Sequence, residues 1–108
     1  MKRSASSAGL PTAVRRELSR LGLDLSAARK RRRLTTAIVA DRAFVSRNTI
    51  TRVERGDPGV SMGIYATVLF VLGLAERIGA LADPSADRIG LGLEAEQLPK
   101  RVRSARPR

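Results

Sequence analysis

The segment Leu34–Gly56 most constrains how this chain can fold, because it predicts two short amphipathic helices separated by a tight turn. Thr35 or Thr36 can cap the first helix, and Ser46 is a suitable N-cap for the second. Gly56 is the glycine expected just after a helix. The apolar positions predicted to hold the two helices together are Val39, Ala40, Ala43, Val45, Ile50 and Val53.

The segments on both sides of this pair are also predicted to be helical. A first helix starts near Thr12, and Gly22 is expected to end it or to link it to a stretch that runs to about Arg33. After Ser61 a broad apolar stripe predicts another helix, which Gly73 interrupts. The stripe consists of Ile64, Tyr65, Val68, Leu69 and Leu72.

Near the C-terminus the apolar period changes from helical spacing to strict alternation. Ile89, Leu91 and Leu93 alternate with Gly90 and Gly92, which predicts a short β-strand. Because the rest of the chain reads as helical, the expected partner of this strand is the same strand in a second copy. Ile89, Leu91 and Leu93 are therefore predicted to form a dimer interface, the alternative being an irregular loop that packs its leucines on the core.

Positive charge is concentrated in the first half of the chain. The 108 residues carry 21 Lys and Arg against 10 Asp and Glu, a net charge of +11. Residues 1–56 hold 14 basic and 4 acidic residues, residues 57–99 hold 2 and 6, and residues 100–108 hold 5 and none. A charge of this size on so short a chain indicates a polyanionic partner: DNA, RNA or an anionic membrane. The slightly acidic middle is expected to supply core and partner contacts.

The absence of cysteine and histidine from the sequence excludes most enzyme chemistry. Without cysteine there are no disulfides, thiolate metal sites or cysteine nucleophiles. Without histidine the commonest acid–base group and metal ligand is missing. The carboxylates show no paired or metal-ligand spacing, so we expect no catalytic residue, no metal and no cofactor. No long apolar run or signal-peptide core is present, which predicts no membrane span and a cytoplasmic, nucleoid-associated protein.

Several positions of the central segment, taken with its flanking helices, resemble the lambda-repressor/Cro (Xre) class of helix-turn-helix DNA-binding domains. The resemblance covers roughly Leu23 to Leu74 and implies an all-α, lambda-repressor-like domain of five to six helices. The turn position that is usually glycine in that class is Phe44 here, so either the turn is reshaped or Phe44 packs inward. The residues that carry the resemblance are Ala40, Ser46, Thr49, Ile50, Val53 and Glu54-Arg55-Gly56.

The same resemblance implies a set of DNA contacts. In the class, the exposed face of the second helix reads bases, and the matching residues here are Arg47, Asn48, Thr51 and Arg52. Their chemistry agrees, because arginine pairs with guanine, asparagine with adenine and a threonine methyl with thymine. For Arg47 and Arg52 the alternative is a solvated helix face. The hydroxyl side chains expected at phosphates are Thr35, Thr36, Ser46 and Thr49.

Two charged features lie at the ends of this motif: a candidate ion pair between Arg29 and Glu54, and a basic run just before the motif. The resemblance implies that Arg29 pairs with Glu54 and so fixes the recognition helix against the first helix, the alternative being two unrelated surface charges. The run of five cations from Arg29 to Arg33 is either the solvated end of a helix, where cations suit the helix dipole, or a patch that faces the DNA backbone.

The C-terminal part of the sequence is similar to HipB-like antitoxins, the Xre-type regulators that accompany HipA-like toxin kinases. The features that carry this similarity are the segment Gly56–Ser61, Tyr65 with the run Val68–Leu74, Asp83-Pro84, the alternating strand Ile89–Leu93 and Leu98-Pro99. The similarity implies a homodimer that binds palindromic operator DNA upstream of its own operon and neutralises a HipA-like kinase. The alternative is a stand-alone Xre-family transcriptional regulator with no toxin partner.

A third hypothesis is a basic RNA- or ribosome-associated protein. It is disfavoured because the chain has only three aromatic residues, Phe44, Tyr65 and Phe70, and all are predicted to be packed, whereas base stacking needs exposed rings.

The predicted organisation is a disordered arm at 1–10, a helical helix-turn-helix domain at 11–83, a dimerisation strand at 84–98 and a disordered basic tail at 99–108.

Overall fold

The computed structural model describes the backbone of residues 9–105 and the side chains of residues 9–97. Within that range the chain forms two compact units, an N-terminal unit that ends at Glu76 and a C-terminal unit that begins at Arg77. All regular elements in the described range are helical, as the all-α prediction requires. The α-helices are α1 (Thr12–Arg31), α2 (Thr36–Ala43), α3 (Arg47–Glu54), α4 (Met62–Val71), α5 (Glu76–Gly79) and α6 (Arg88–Ala105), with a 3-10 turn at Pro84–Ala86.

Hydroxyl side chains start three of the helices of the N-terminal unit. The Oγ1 of Thr35 accepts from the Ile38 amide at 3.1 Å, so Thr35 rather than Thr36 caps α2. Ser46 caps α3 in the same way, as predicted, and Ser61 caps α4, the helix predicted to follow it. Gly56 follows α3 with a φ of 72°, which confirms its predicted place after the helix.

The hydrophobic core of the N-terminal unit is built from residues of α1 to α4. α2 contacts both α3 and α4, and α1 contacts α3. Ile50 and Val53 are fully buried, which agrees with their predicted inward positions. The other buried apolar residues are Leu25, Ala28, Val39, Ala40, Ala43, Val60, Tyr65, Val68, Leu69 and Leu72.

Of the two predicted roles of Gly22, an end of the first helix or a link to the following stretch, the first is wrong, because α1 continues through it to Arg31. Its role is to let two backbones approach. A Cβ at residue 22 would lie 2.6 Å from the carbonyl oxygen of Glu54 and 2.7 Å from the amide nitrogen of Gly56. The glycine is therefore explained by the close crossing of α1 and the end of α3, a tertiary constraint that outweighs its low helix propensity.

The predicted C-terminal β-strand is wrong, because Ile89, Leu91 and Leu93 lie on α6. The carboxylate of Asp87 accepts from the Gly90 amide at 3.0 Å, and the Leu91 amide donates to the Asp87 carbonyl at 2.9 Å. A capping aspartate thus starts a helix at the point where glycine alternation suggested a strand. A cross-dimer strand pairing through these residues is consequently not supported.

Residues 1–8 and 106–108 lie outside the described residues, and so do most of the predicted N-terminal arm and the end of the basic tail. The rest of the tail differs from the prediction, because α6 runs to Ala105 and includes residues 99–105. Among the described residues, no helix combines the length and apolar character needed to cross a bilayer. The same residues contain no cluster of acidic side chains suited to holding a metal ion.

The prediction that all three aromatic side chains are packed is correct only for Tyr65, which is buried. Phe70, on α4, is exposed. Phe44 is 94% exposed and has a φ of 58°, so the turn keeps the left-handed conformation and Phe44 does not pack inward. Neither expected adjustment to the missing glycine occurs.

Candidate nucleic-acid interface

α2 and α3 form a helix-turn-helix pair with a three-residue junction, Phe44–Ser46. The Val45 amide closes the end of α2 by donating to the Ala40 carbonyl at 3.0 Å. The Ser46 hydroxyl then opens α3 by accepting from the Thr49 amide at 3.1 Å. The pair is therefore fixed by packing of Val39, Ala43 and Ile50 inside and by backbone hydrogen bonds at the turn.

Arg29 and Glu54, predicted as a structural pair, are in direct contact. Nε and Nη2 of Arg29 donate to the two carboxylate oxygens of Glu54 at 2.7 and 3.0 Å, and both side chains are only 13% exposed. Nη1 of Arg29 donates to the Leu34 carbonyl at 2.9 Å. The hydrogen bond to Glu54 raises the pKa of Arg29, against a smaller opposing effect of burial. One guanidinium thus ties α1, the loop before α2 and the end of α3 together.

The outer face of α3 presents three of the four predicted base-contacting residues to solvent. Arg47, Asn48 and Thr51 are all exposed. The Thr51 hydroxyl donates to the Arg47 carbonyl at 3.2 Å, so its methyl group remains for apolar contact. These side chains offer a bidentate donor, an amide and a methyl group from one helix about 10–12 Å wide.

Arg52, the fourth predicted base-contacting residue, is held by the loop that follows α3. Its Nε donates to Oδ2 of Asp57 at 2.7 Å, and its side chain is 25% exposed. Nη2 of Arg52 is buried without a hydrogen-bond partner among the described residues. A bidentate contact to a base through Arg52 therefore requires its pair with Asp57 to open.

The predicted phosphate-contacting residues lie at the starts of α2 and α3. Thr35 and Ser46 are exposed caps, whereas Thr36 and Thr49 are half-buried. Oγ of Ser46 and Oγ1 of Thr49 are 3.0 Å apart, so two hydroxyls are adjacent at the α3 N-terminus. The unpaired amides and dipole of a helix N-terminus attract anions, which makes both ends suited to phosphate oxygens.

Asp57 and Tyr65 support the site, a role that the sequence did not predict for either. Asp57 binds Arg52 and also accepts from the Gly59 amide at 2.7 Å, while the Tyr65 hydroxyl donates to the Asp57 carbonyl at 2.8 Å. Burial, and less strongly the nearby Asp57 carboxylate, raise the pKa of Tyr65 to about 12. The aspartate in the Gly-Asp-Pro-Gly turn is the only local signal, because its partners are set by the tertiary fold.

The residues predicted for the dimer interface lie apart from this site in sequence, on α6 of the C-terminal unit. Ile89, Leu91 and Leu93 are all exposed there. Their exposure leaves apolar surface available, although the strand that was to pair them does not form.

A family model described as a helix-turn-helix domain matches residues 20–87. The match spans more than half of the chain and includes α2, α3 and α4. The chain therefore belongs to the helix-turn-helix domain family, which indicates a DNA-binding regulator. Comparison with curated proteins and with solved structures found no match.

Proposed function

We propose that this protein is a sequence-specific transcriptional regulator that inserts α3 into the major groove of double-stranded DNA. The observation that carries the proposal is that an immobilised α3 displays three exposed base-reading side chains, Arg47, Asn48 and Thr51. The Arg29–Glu54 pair fixes the end of the helix, and its inner face is packed in the core. A groove about 12 Å wide accepts a helix of this diameter.

Each exposed side chain has a distinct role in this proposal. Arg47 donates to O6 and N7 of guanine, Asn48 pairs with adenine, and the Thr51 methyl contacts thymine. Arg52 acts chiefly as a support, because Asp57 already occupies its Nε. It becomes a base contact only if DNA competes successfully with that carboxylate.

Backbone contacts at the starts of α2 and α3 position the helix in the groove. Thr35, Thr36, Ser46 and Thr49 supply hydroxyls there. The exposed cations that follow Arg29 lie immediately before α2, which favours the DNA-facing interpretation of the basic run. These contacts add affinity without sequence preference and make binding dependent on salt.

We further propose that the protein is an Xre-type repressor and that it binds DNA as a homodimer. A single domain offers one recognition helix, whereas two copies related by a twofold axis read half-sites about 34 Å apart, one turn of B-DNA. The operator is then a palindrome, and occupancy of a site upstream of its own operon blocks transcription. The dimer surface is left open by the loss of the predicted strand.

A HipB-like antitoxin role is the second candidate, favoured by the exposed apolar side chains of the C-terminal unit. Leu81, Ile89 and Leu93 are 60–79% exposed. Ile89 and Leu93 are four residues apart on α6 and so share one face of that helix, and exposed apolar patches commonly mark protein interfaces. A HipA-like kinase would cover such surface. Copurification of a kinase-sized protein at equal molar ratio supports this role, and a bare homodimer that protects its own upstream DNA favours the stand-alone regulator.

Selection from random duplex DNA, followed by binding measurements on the selected site, tests the main proposal. Arg47→Ala and Asn48→Ala are expected to weaken specific binding by about 1–3 kcal/mol each and to relax the preference at one base pair. Arg88→Ala is the matched control for Arg47→Ala, because it removes an exposed arginine from α6. An unchanged ratio of specific to random affinity in both α3 variants contradicts the groove assignment.

A further inference from the structure

We infer that Phe44 is a base-contacting residue that recognises the C5-methyl group of thymine beside the bases read by α3. The inference rests on the proposed function and adds to it a specificity determinant. Phe44 combines two unfavourable features: an aromatic side chain that is 94% exposed and a backbone φ of 58°. Bulky side chains avoid that left-handed conformation, so the free protein gains nothing evident from this residue.

Four helix ends in the N-terminal unit close in the same way, with one residue in the left-handed region. That residue is Arg33, Phe44, Gly56 or Gly73, each with φ between 56° and 80°. In each case the next amide donates back to the carbonyl five residues earlier: Leu34 to Arg29, Val45 to Ala40, Asp57 to Arg52 and Leu74 to Leu69. The four positions thus share one backbone requirement, for which glycine is the unstrained choice.

Glycine is absent only at the two of these ends that adjoin the proposed DNA interface. Arg33 and Phe44 each stand two residues before a hydroxyl cap, Thr35 of α2 and Ser46 of α3. At Gly56 a Cβ would collide with the Leu18 backbone, so space also requires glycine there, whereas at Gly73 a Cβ would meet nothing within 4 Å. Gly73 is thus the end at which the left-handed φ alone accounts for the glycine. The chain therefore accepts backbone strain where a side chain can reach the nucleic acid, with a cation at one junction and an aromatic ring at the other.

The chemistry of the ring selects its target on DNA. Phe44 is three residues from Arg47, so their Cα atoms are at most about 10 Å apart, within the width of the major groove. The thymine C5-methyl is the apolar group that the major groove displays. The exposed charged residues within three positions are Arg42, Arg47 and Asp41, which leave a net positive surround suited to DNA.

The test uses the intact protein and the duplex selected by the wild type. Replacing each thymine by uracil removes only its methyl group. We expect one or two positions at which this lowers wild-type affinity by about four-fold, the effect of exposing one methyl-sized group. Phe44→Gly should lose the preference for thymine over uracil at one of these positions, keep the preference at the thymine contacted by Thr51, and bind the selected site several-fold more weakly than the wild type. Because it relieves the strained φ, its melting temperature should rise by about 2–5 °C.

Phe70→Ala is the matched control, because it removes the other exposed phenylalanine, on α4. It should leave both affinity and the thymine preference unchanged. A wild type that selects a sequence but shows no difference between thymine and uracil overturns the Phe44 contact and the Thr51 methyl contact, and leaves the placement of α3 in the groove standing. Phe44→Gly that binds DNA normally overturns it too and points to a protein surface. A wild type that selects no sequence overturns the proposed function as well.

Discussion

The N-terminal and C-terminal units are stabilised in different ways. Every buried apolar residue among the described side chains lies between Leu25 and Leu72, in the N-terminal unit. In the C-terminal unit, the described side chains from Arg77 to Gln97 include none that is buried. The side-chain hydrogen bonds among its described residues are local: Asp83 accepts from Ser85, and Asp87 accepts from the Gly90 amide. One unit is held by tertiary packing, and the other by hydrogen bonds between near neighbours.

This difference indicates that the N-terminal unit can hold functional side chains in fixed positions, whereas the C-terminal unit depends on local interactions for its stability. A packed core fixes α3 and its base-reading side chains within a small range of positions. A helix with few tertiary contacts depends on its cap and on its own backbone bonds, which are marginal in water for a single short helix. Substitutions with the same chemistry should therefore have unequal effects in the two units.

The largest expected effect comes from the Arg29–Glu54 pair. Glu54→Gln leaves the largely buried guanidinium without its countercharge and should lower the free energy of unfolding of the N-terminal unit by about 3–4 kcal/mol. Glu17→Gln is the control, because the Glu17–Arg20 pair is 3.7 Å apart and both side chains are at least two-thirds exposed. Its effect should stay below about 0.5 kcal/mol. Urea unfolding measures both, and equal losses in the two variants contradict the structural role of the buried pair.

Glycine-to-alanine changes should have opposite signs in the two units. Gly22→Ala places a Cβ 2.6 Å from the Glu54 carbonyl oxygen and should destabilise the N-terminal unit by about 2–3 kcal/mol. Gly92→Ala lies in α6, where a Cβ would meet nothing within 4 Å, and should favour helix by about 0.5–1 kcal/mol. Thermal unfolding followed by circular dichroism compares them. A stabilising Gly22→Ala would mean that α1 and the end of α3 are not in close contact.

The sequence predicted the N-terminal unit well because its signals are local or periodic. Ser46, Ser61 and Gly56 mark helix ends through chemistry that each carries by itself. The packing role of Gly22 was not predicted, because the backbone that requires it, that of Glu54, is 32 residues away in the chain. At residues 89–93, glycine alternation outweighed the cap from Asp87, since a strand pattern and a weak helix cannot be separated by period alone.

The candidate site was predicted unevenly for a related physical reason. Residue type and register are enough to place Arg47, Asn48 and Thr51 on one helix. Apolar character alone does not reveal which face a residue occupies, so Phe44 and Phe70 were expected inside and are exposed. The contact between Arg52 and Asp57 depends on loop geometry that no sequence pattern specifies.

Alkaline pH should weaken the N-terminal unit through Tyr65. Its pKa is raised to about 12 in the fold against 10.0 for a free phenol, so folding favours the protonated form. The resulting stability is complete below pH 10 and is lost as pH rises through about 12, a change of about 2–3 kcal/mol. Tyr65 is the only tyrosine and the chain has no tryptophan, so tyrosinate absorbance reports its titration directly. Tyr65→Phe should lose the bond to the Asp57 carbonyl at all pH values and abolish this part of the pH dependence. A tyrosinate midpoint near 10 contradicts the buried, hydrogen-bonded phenol.

The smallest expected effect tests the C-terminal unit by itself. Asp87→Ala removes the side chain that binds the Gly90 amide and should weaken the start of α6 by about 1 kcal/mol. Asp87→Asn keeps an acceptor and should retain most of the helix, and Asp83→Ala, which affects the adjacent 3-10 turn, should leave α6 intact. Amide hydrogen exchange of residues 88–97 in the full chain measures the loss.

Because the N-terminal unit has its own core, its melting temperature should not change. A fall in that temperature would show that the two units unfold together, whereas unchanged exchange in α6 would show that contacts other than this cap maintain the helix.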